Sequence, residues 1–426
     1  MTRRLGWWLA GAVVLVLVAL AWAVVQQFRP APLINAPAVA ATPALIERGR
    51  LLVAGGNCMA CHTARGGEPW AGGHAVQTRF GAIVSSNLTP HTTGLGDWTA
   101  AEFHRALHHG QSRDGRLLYP AFPYVHFTRL GRDDTDALWA YLRTLPPVDR
   151  PREPHQLRFP YDQPLALALW RTLHFSPAEH RDDPARSAEW NRGAWWVQGV
   201  AHCAACHRAP GVLEGPGLAL AGGLMPDGAW WAPSLRNPAE GGVQDWSTDD
   251  IVALLRDGRT AGASVAGPMA EVVRHGTQHL PEADLRAIAT YLKDLPRDTT
   301  RPAAFESADA RVLLRGGQVY EQHCAQCHGD RGEGAWAEGA PADGPWAFPP
   351  LAGNRAVTQA SPVNLVRWVL DGGFGPTTAA HPRPWGMPPF RGELTDADIA
   401  ALATYVRQSW GNQAGEVSAV DVQRLR

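Results

Sequence analysis

The chain opens polar, with Arg3 and Arg4, and then runs from Leu5 to Val25, 21 residues, without a charge. That stretch is long enough to cross a bilayer as a helix. Beyond Pro43 the pattern becomes amphipathic. Three segments begin with acidic residues and continue with apolar ones at i, i+3 and i+4: DDTDALWAYL near Tyr141, PEADLRAIATYL near Tyr291 and TDADIAALATYV near Tyr405. Acidic residues in a first turn complement the helix dipole, and the spacing gives one buried face. Each segment is preceded by a helical run containing Arg-Gly, at Arg48-Gly49, Arg192-Gly193 and Arg315-Gly316. The glycine allows the later helix to cross closely, with the tyrosine packed beside the contact. This recurrence marks one unit written three times. Six prolines between residues 146 and 164 forbid a continuous helix there.

The expected organisation is therefore all-α with minor strand content. Residues 1–28 form an anchor and 29–43 a Pro/Ala-rich tether. The first unit is 44–148, a Pro-rich linker is 149–186, and the second unit is 187–297. A short linker at 298–306 leads to the third unit, 307–411, and a polar tail, 412–426. The arginines before the apolar run place it in the cytoplasmic membrane with the remainder in the periplasm. A cleaved signal peptide is the competing reading, because Ala38-Val39-Ala40 resembles a cleavage site. The apolar run exceeds the roughly 7–15 residues of a signal core, which favours a retained anchor.

Composition narrows the function. Hydrophobic residues are 45% and charged residues 19%, enough for real cores. Lys+Arg is 39 against Asp+Glu 40, so no basic excess exists to displace counterions from nucleic acid. No glycine-rich nucleotide loop, P-loop or nucleophile elbow is present in the sequence.

The cysteines decide the chemistry. All six fall in pairs followed at once by histidine: CMACH at 58–62, CAACH at 203–207 and CAQCH at 324–328. In the C-x-x-C-H pattern two thiols reach the two vinyl groups of one porphyrin, and the histidine then comes up beneath the iron. A zinc site would want paired CxxC units and a thioredoxin-like site a βαβ context. Neither explains three histidines in the same place. The expectation is three covalently bound haem c groups, on Cys58 and Cys61, Cys203 and Cys206, and Cys324 and Cys327. His62, His207 and His328 are then the axial iron ligands. The predicted fold is three tandem class I cytochrome c domains behind an N-terminal transmembrane helix.

Of five methionines, Met269 lies 62 residues after His207 and Met387 59 residues after His328, each beside a proline. This matched spacing makes them the expected sixth ligands of the second and third units, where a soft thioether raises the potential. The first unit breaks the rule: the corresponding position is Phe122, which cannot ligate iron. The nearest capable side chain is His126; His104, His108, His109 or an open five-coordinate iron are the alternatives.

At this point the chain resembles the triheme cytochrome c subunits of bacterial membrane-associated dehydrogenases, the group serving alcohol, gluconate and fructose dehydrogenases. The resemblance spans Ala44 to Trp410. It rests on the three motifs, NLTPHTTGLGDWTAAEFHRALHHG, DGRLLYPAFPY, GPMAEVVRHGTQHLPEADLRAIATYL and MPPFRGELTDADIAALATYV. Those relatives usually carry methionine where Phe122 stands and are tethered near the C-terminus. AFPYVHFT with an N-terminal anchor looks more like the cytochromes accompanying molybdenum hydroxylases such as nicotinate, isoquinoline or aldehyde dehydrogenases. The resemblance implies an electron-transfer subunit without substrate chemistry of its own. It would take electrons from a catalytic dehydrogenase subunit and deliver them to ubiquinone or a terminal oxidase. The alternatives are a haem enzyme with an open, peroxidase-like first haem, a stand-alone carrier, or a terminal oxidase subunit.

Overall fold

A computed structural model describes residues 2–34, 40–209, 219–260, 263–300, 305–336, 346–384 and 386–426. Ala38 and Val39 of the cleavage-like stretch, and residues 301–304 of the second linker, lie outside the described residues. The apolar run forms α1 (Thr2–Gln27), whose window Trp7–Gln27 is long and apolar enough to span a membrane. Each unit then pairs a first helix with a last one. In the first unit these are α2 (Pro43–Gly55) and α6 (Arg132–Leu142), with α3 (Cys58–Cys61), α4 (Ala100–His109) and α5 (Tyr124–Phe127) between them. After α7 (Pro164–His174), the second unit holds α8 (Ala188–Trp195), α9 (Thr248–Asp257), α10 (Pro268–His275) and α11 (Glu282–Lys293). The third holds α12 (Ala310–His323), α13 (Ala325–His328), α14 (Arg355–Thr358), α15 (Val363–Asp371) and α16 (Asp396–Gln408), followed by α17 (Ala419–Leu425).

The glycine-mediated crossing recurs in all three units. A Cβ on Gly49, Gly193 or Gly316 would land on the carbonyl oxygen of Ala137, Ala287 or Ala401 and against the Cβ of Tyr141, Tyr291 or Tyr405. Only a residue without a side chain permits that approach. The adjacent arginines close the same crossing from outside. Arg48 reaches Asp134 at 2.5 Å, Arg192 reaches Asp284 at 2.7 Å, and Arg315 reaches Asp398 at 2.7 Å. Each partner is the third residue of the last helix.

Cys203 lies ten positions after Gly193, whereas Cys58 lies nine after Gly49. The second unit absorbs the extra residue in a π-helical turn, Trp196–Val200, directly before its cysteine motif. A wide turn is the usual way for a helix to take up one inserted residue near a functional site.

Strand content is minor, as expected: one three-stranded antiparallel sheet and three two-stranded pairs among the described residues. In the largest, β1 (Ala75–Thr78) pairs with β2 (Gly81–Val84), which pairs with β3 (Gln156–Leu157). The stretch expected as a linker thus returns a strand to the first unit and also contains α7. The tail likewise carries structure. Val417 and Val422 are buried in the third unit's core, and α17 packs on α15 and α16. Val417 just before the short helix and Val422 on it stand among polar residues, which is why residues 412–426 read as a polar tail.

Among the described residues the three haem units are built on two main cores, not three. Leu52, Leu107, Leu130 and Leu138 of the first unit share one apolar cluster with Trp196, Val200, Ile251, Leu280 and Ile288 of the second. The third unit has its own, built from Tyr320, Val366, Leu370, Ile399 and Val406.

Candidate haem sites

The first two motifs are entered in the same way, whereas the third follows directly on the end of α12 at His323. Asn57 and His202, the residues before Cys58 and Cys203, adopt left-handed backbone at φ 48° and 39°. That reversal ends the first helix and starts the short turn carrying the cysteines. Cys58 and Cys61 lie on α3, Cys203 opens a 3-10 turn (Cys203–Ala205), and Cys327 lies on α13. None of the six is in a disulfide.

The histidines carry the telling geometry. His62 Nδ1 lies 2.7 Å from the Ser86 carbonyl, His207 Nδ1 2.8 Å from that of Pro233, and His328 Nδ1 3.0 Å from that of Pro349. A carbonyl only accepts, so each Nδ1 must carry the proton and each Nε2 keeps its lone pair. This outer contact fixes tautomer and ring orientation in metal-ligating histidines. Burial lowers the affinity of all three rings for a second proton, against the opposing pull of the carbonyl. A neutral imidazole aimed by its back edge is what an axial ligand requires.

Burial also pushes the Cys58, Cys203 and Cys324 thiols up to about 12, with the second cysteine of each motif adding to the effect. Redox-active and zinc-binding cysteines need the opposite shift. Thiols held protonated beside an oriented neutral histidine fit covalent porphyrin attachment. Beside the first motif, the Asn57 Oδ1 atom is buried without a protein partner, a further sign that the site is shaped for a bound group. Cys206 is pushed up to about 11 by burial first and then by Cys61, which sets the first and second motifs side by side.

The two methionine candidates lie on different kinds of element. Met269 is the second residue of α10, after Pro268, and Met387 sits on the short strand Gly386–Met387 against the third core. Phe122 packs against Phe127, with ring centroids 5.6 Å apart, and against the shared core. His126, on α5, is half-buried, and its Nδ1 lies 3.2 Å from the Gln198 carbonyl in the π-helical turn of the second unit. Burial, then the nearby His202, hold this ring down to about 3. His104 instead meets Thr135 at 2.9 Å between α4 and α6 and stacks on His108. The Ser86, Pro233, Pro349 and Gln198 carbonyls had no signature in the sequence, because any residue supplies a carbonyl. The arginine–aspartate pairing across each crossing was legible only as two separate features.

Three helical units, each presenting a pair of free cysteines and an oriented histidine, define a multidomain c-type cytochrome. The cytochrome c family profile matches residues 46–146, 197–296 and 313–410, and the chain belongs to that family. It is 37% identical to the cytochrome c subunit of a quinone alcohol dehydrogenase from Gluconacetobacter polyoxogenes, across 92% of this chain and 87% of the relative. It is 35% identical to the fructose dehydrogenase cytochrome subunit of Gluconobacter japonicus, across 93% and 86%. It is also 40% identical to a nicotinate dehydrogenase subunit of Pseudomonas putida, across 95% of this chain and 34% of that longer relative. Family membership implies covalent haem c.

Proposed function

We propose that the chain is a membrane-anchored triheme cytochrome that relays electrons from a partner dehydrogenase to the respiratory chain. When bound, haem c supplies a one-electron couple; the protein's part is attachment, axial ligation and burial. Cys58 and Cys61, Cys203 and Cys206, and Cys324 and Cys327 are the attachment points. His62, His207 and His328 are the proximal ligands, and the reading rests chiefly on their shared Nδ1–carbonyl contacts. Met269 and Met387 complete the second and third sites.

His126 completes the first. It repeats the pattern of the proximal histidines, with Nδ1 turned to a backbone carbonyl and Nε2 left for a metal. A second imidazole in place of thioether lowers the potential of that site. With a histidine and a second protein ligand offered to each iron, a bound haem would have no position left for substrate, which would suit outer-sphere transfer.

The anchor is retained in this reading. Val24 is buried in a small core with Leu117, Leu167 and Ala168, and Gln27 accepts a hydrogen bond from Arg171. Cleavage near residue 40 would strip that core of its partner. The α1 helix then holds the chain at the cytoplasmic membrane with its haem units in the periplasm.

The names of the relatives support a dehydrogenase as electron donor, and the AFPYVHFT stretch favours the molybdenum hydroxylase class. Ubiquinone or a terminal oxidase is the acceptor. Purified full-length protein should carry three haems by pyridine haemochrome, two of them with a methionine-to-iron charge-transfer band. Three such bands, or an unchanged lowest potential in His126→Ala, would overturn the ligand assignment. Molybdenum co-purifying with the native complex is the expected result for the partner; flavin or quinone cofactor alone would exclude that class.

A further inference from the structure

One element is left over once the haem units are accounted for. Helix α7 lies in the segment joining the first two units, and its residues divide sharply between two faces. Leu167, Ala168 and Arg171 are buried. Leu165, Leu169 and Leu173, spaced i, i+4 and i+8, are 63%, 39% and 50% exposed. Just before them Phe159 is 81% exposed and Tyr161 is exposed as well. A leucine stripe of this kind on a water-facing helix has no reward in a soluble domain.

The buried face shows where the helix sits. It packs on the last turns of α1, forming with Leu20 and Val24 the small core that Leu117 and Tyr119 of the first unit complete. Leu20 and Gln27 are seven residues apart, about 10 Å along a helix at 1.5 Å per residue. Helix α7 is therefore pinned to the polar end of the membrane-length helix, at the level where a bilayer's headgroups begin.

The pinning is rigid. Arg171 donates to Gln27 Oε1 at 3.2 Å and to the His109 carbonyl at 2.8 Å, and lies over the rings of Tyr124 and Phe175. Gln111 donates to the carbonyls of Gln27 and Arg29 and accepts from the Ala31 amide. The chain leaving the membrane helix is thus strapped to the first unit as far as Ala31, and the unit cannot swing freely on a tether.

We propose that α7 and the turn carrying Phe159 form a lipid-contacting face, seated in the headgroup–acyl boundary of the bilayer that α1 crosses. The inference rests on the retained-anchor reading. A helix lying in that boundary buries its apolar face by about 5–10 Å, and aromatic rings collect at the same depth. The face fixes the height and tilt of the first haem unit over the membrane.

The test is photolabelling of full-length protein in vesicles of phosphatidylethanolamine and phosphatidylglycerol, with a diazirine confined to the lipid phase and peptide mass readout. Label is expected on α1, on Phe159 and on Leu165, Leu169 and Leu173. In the variant Leu165→Gln/Leu169→Gln/Leu173→Gln, label on Phe159 should fall at least threefold while that on α1 stays unchanged. Label on α1 with none on residues 159–173 would overturn the proposal and leave the anchor intact. If that lack of label coincides with a dimeric mass, the face is covered by a second copy and the proposal is equally overturned. Absence of label from α1 as well would remove the anchor reading and this inference together.

Discussion

The seam between the first and second units and the seam between the second and third are made of different material. At the first, Trp196 packs over the backbone of Gly55, Leu280 comes up beside it, and His202 Nε2 donates to the Gly56 carbonyl at 3.2 Å. The apolar cluster runs through the boundary without a break. At the second, the contacts are polar. Asn364 exchanges two hydrogen bonds with the Trp231 backbone, at 2.9 and 2.7 Å. Arg355 and Arg367 donate to the carbonyls of Gly242 and Ala229, and Arg259 meets His381. A shared core cannot be opened without exposing apolar surface, whereas polar contacts can be exchanged for water at small net cost. The first two units therefore behave as one body with side-by-side motifs, and the third as a separable partner. An electron relay built this way keeps one internal step fixed and leaves the other adjustable.

The largest effect should come from breaking the first seam. Trp196 is 1% exposed at the junction, and truncating a buried aromatic costs about 3–5 kcal/mol. Trp196→Ala should lower the unfolding midpoint of the first two units together and leave that of the third in place. Calorimetry with haem-specific absorbance checks this. Independent melting of the first and second units in the wild type would remove the distinction between the seams.

Asn364→Ala strikes the second seam with a smaller blow. It removes two hydrogen bonds and leaves the Trp231 amide and carbonyl to find water, at a cost of about 1–2 kcal/mol. The expected signature is looser docking, read as faster amide exchange at residues 229–232 and 363–367, with both melting transitions nearly unmoved. A large drop in the third unit's midpoint would show that the seam, not its own core, holds that unit together.

Much of this contrast could not be seen in the sequence. The three motifs, the three acidic-started helices and the glycine in each first helix were legible because each is a local pattern imposed by chemistry or close crossing. The merging of two cores was not. Leu52, Val200 and Leu280 look like ordinary apolar positions of separate helices, and nothing in their spacing says that they meet. The same holds for α7, hidden in a Pro-rich stretch whose first proline of the helix, Pro164, starts it rather than ending it. The supporting carbonyls behind His62, His207 and His328 were invisible for a simpler reason: backbone groups leave no mark on a sequence.

Acid should affect the first unit through His155, at the edge of the strand that the joining segment returns to it. Its Nδ1 accepts the Val84 amide at 3.2 Å. Burial first, then Arg152 and Arg116, hold the ring down to about 4, from an ordinary 6.5. The unfolded chain takes up its proton near 6.5 and the folded chain only near 4, so the folded state binds fewer protons in between. The stabilisation is complete above about pH 6.5 and is lost progressively as pH falls toward 4. His155→Gln should flatten the pH dependence of the first transition in that window and leave the third unit's alone. An unaltered slope would assign the acid sensitivity elsewhere.

The smallest effects belong to the arginines that all three units share. Arg48, Arg192 and Arg315 are each about half exposed while their aspartate partners are largely covered. Exposed ion pairs of this kind contribute about 0–1 kcal/mol and are screened by salt. Each Arg→Ala change should therefore cost no more than about 1 kcal/mol, shrinking further in molar salt. The glycine next to each arginine permits the crossing; the arginine only trims it. Arg48 and Arg315 should cost alike, while Arg192 also lies over the rings of Trp195 and Trp196, at 4.4 and 5.1 Å, and so touches the first seam. A markedly larger loss for Arg192 than for Arg315 would mean that its contact with Trp196 ties the shared core to the crossing beneath it. The first two units would then be coupled more tightly than their apolar contact alone requires.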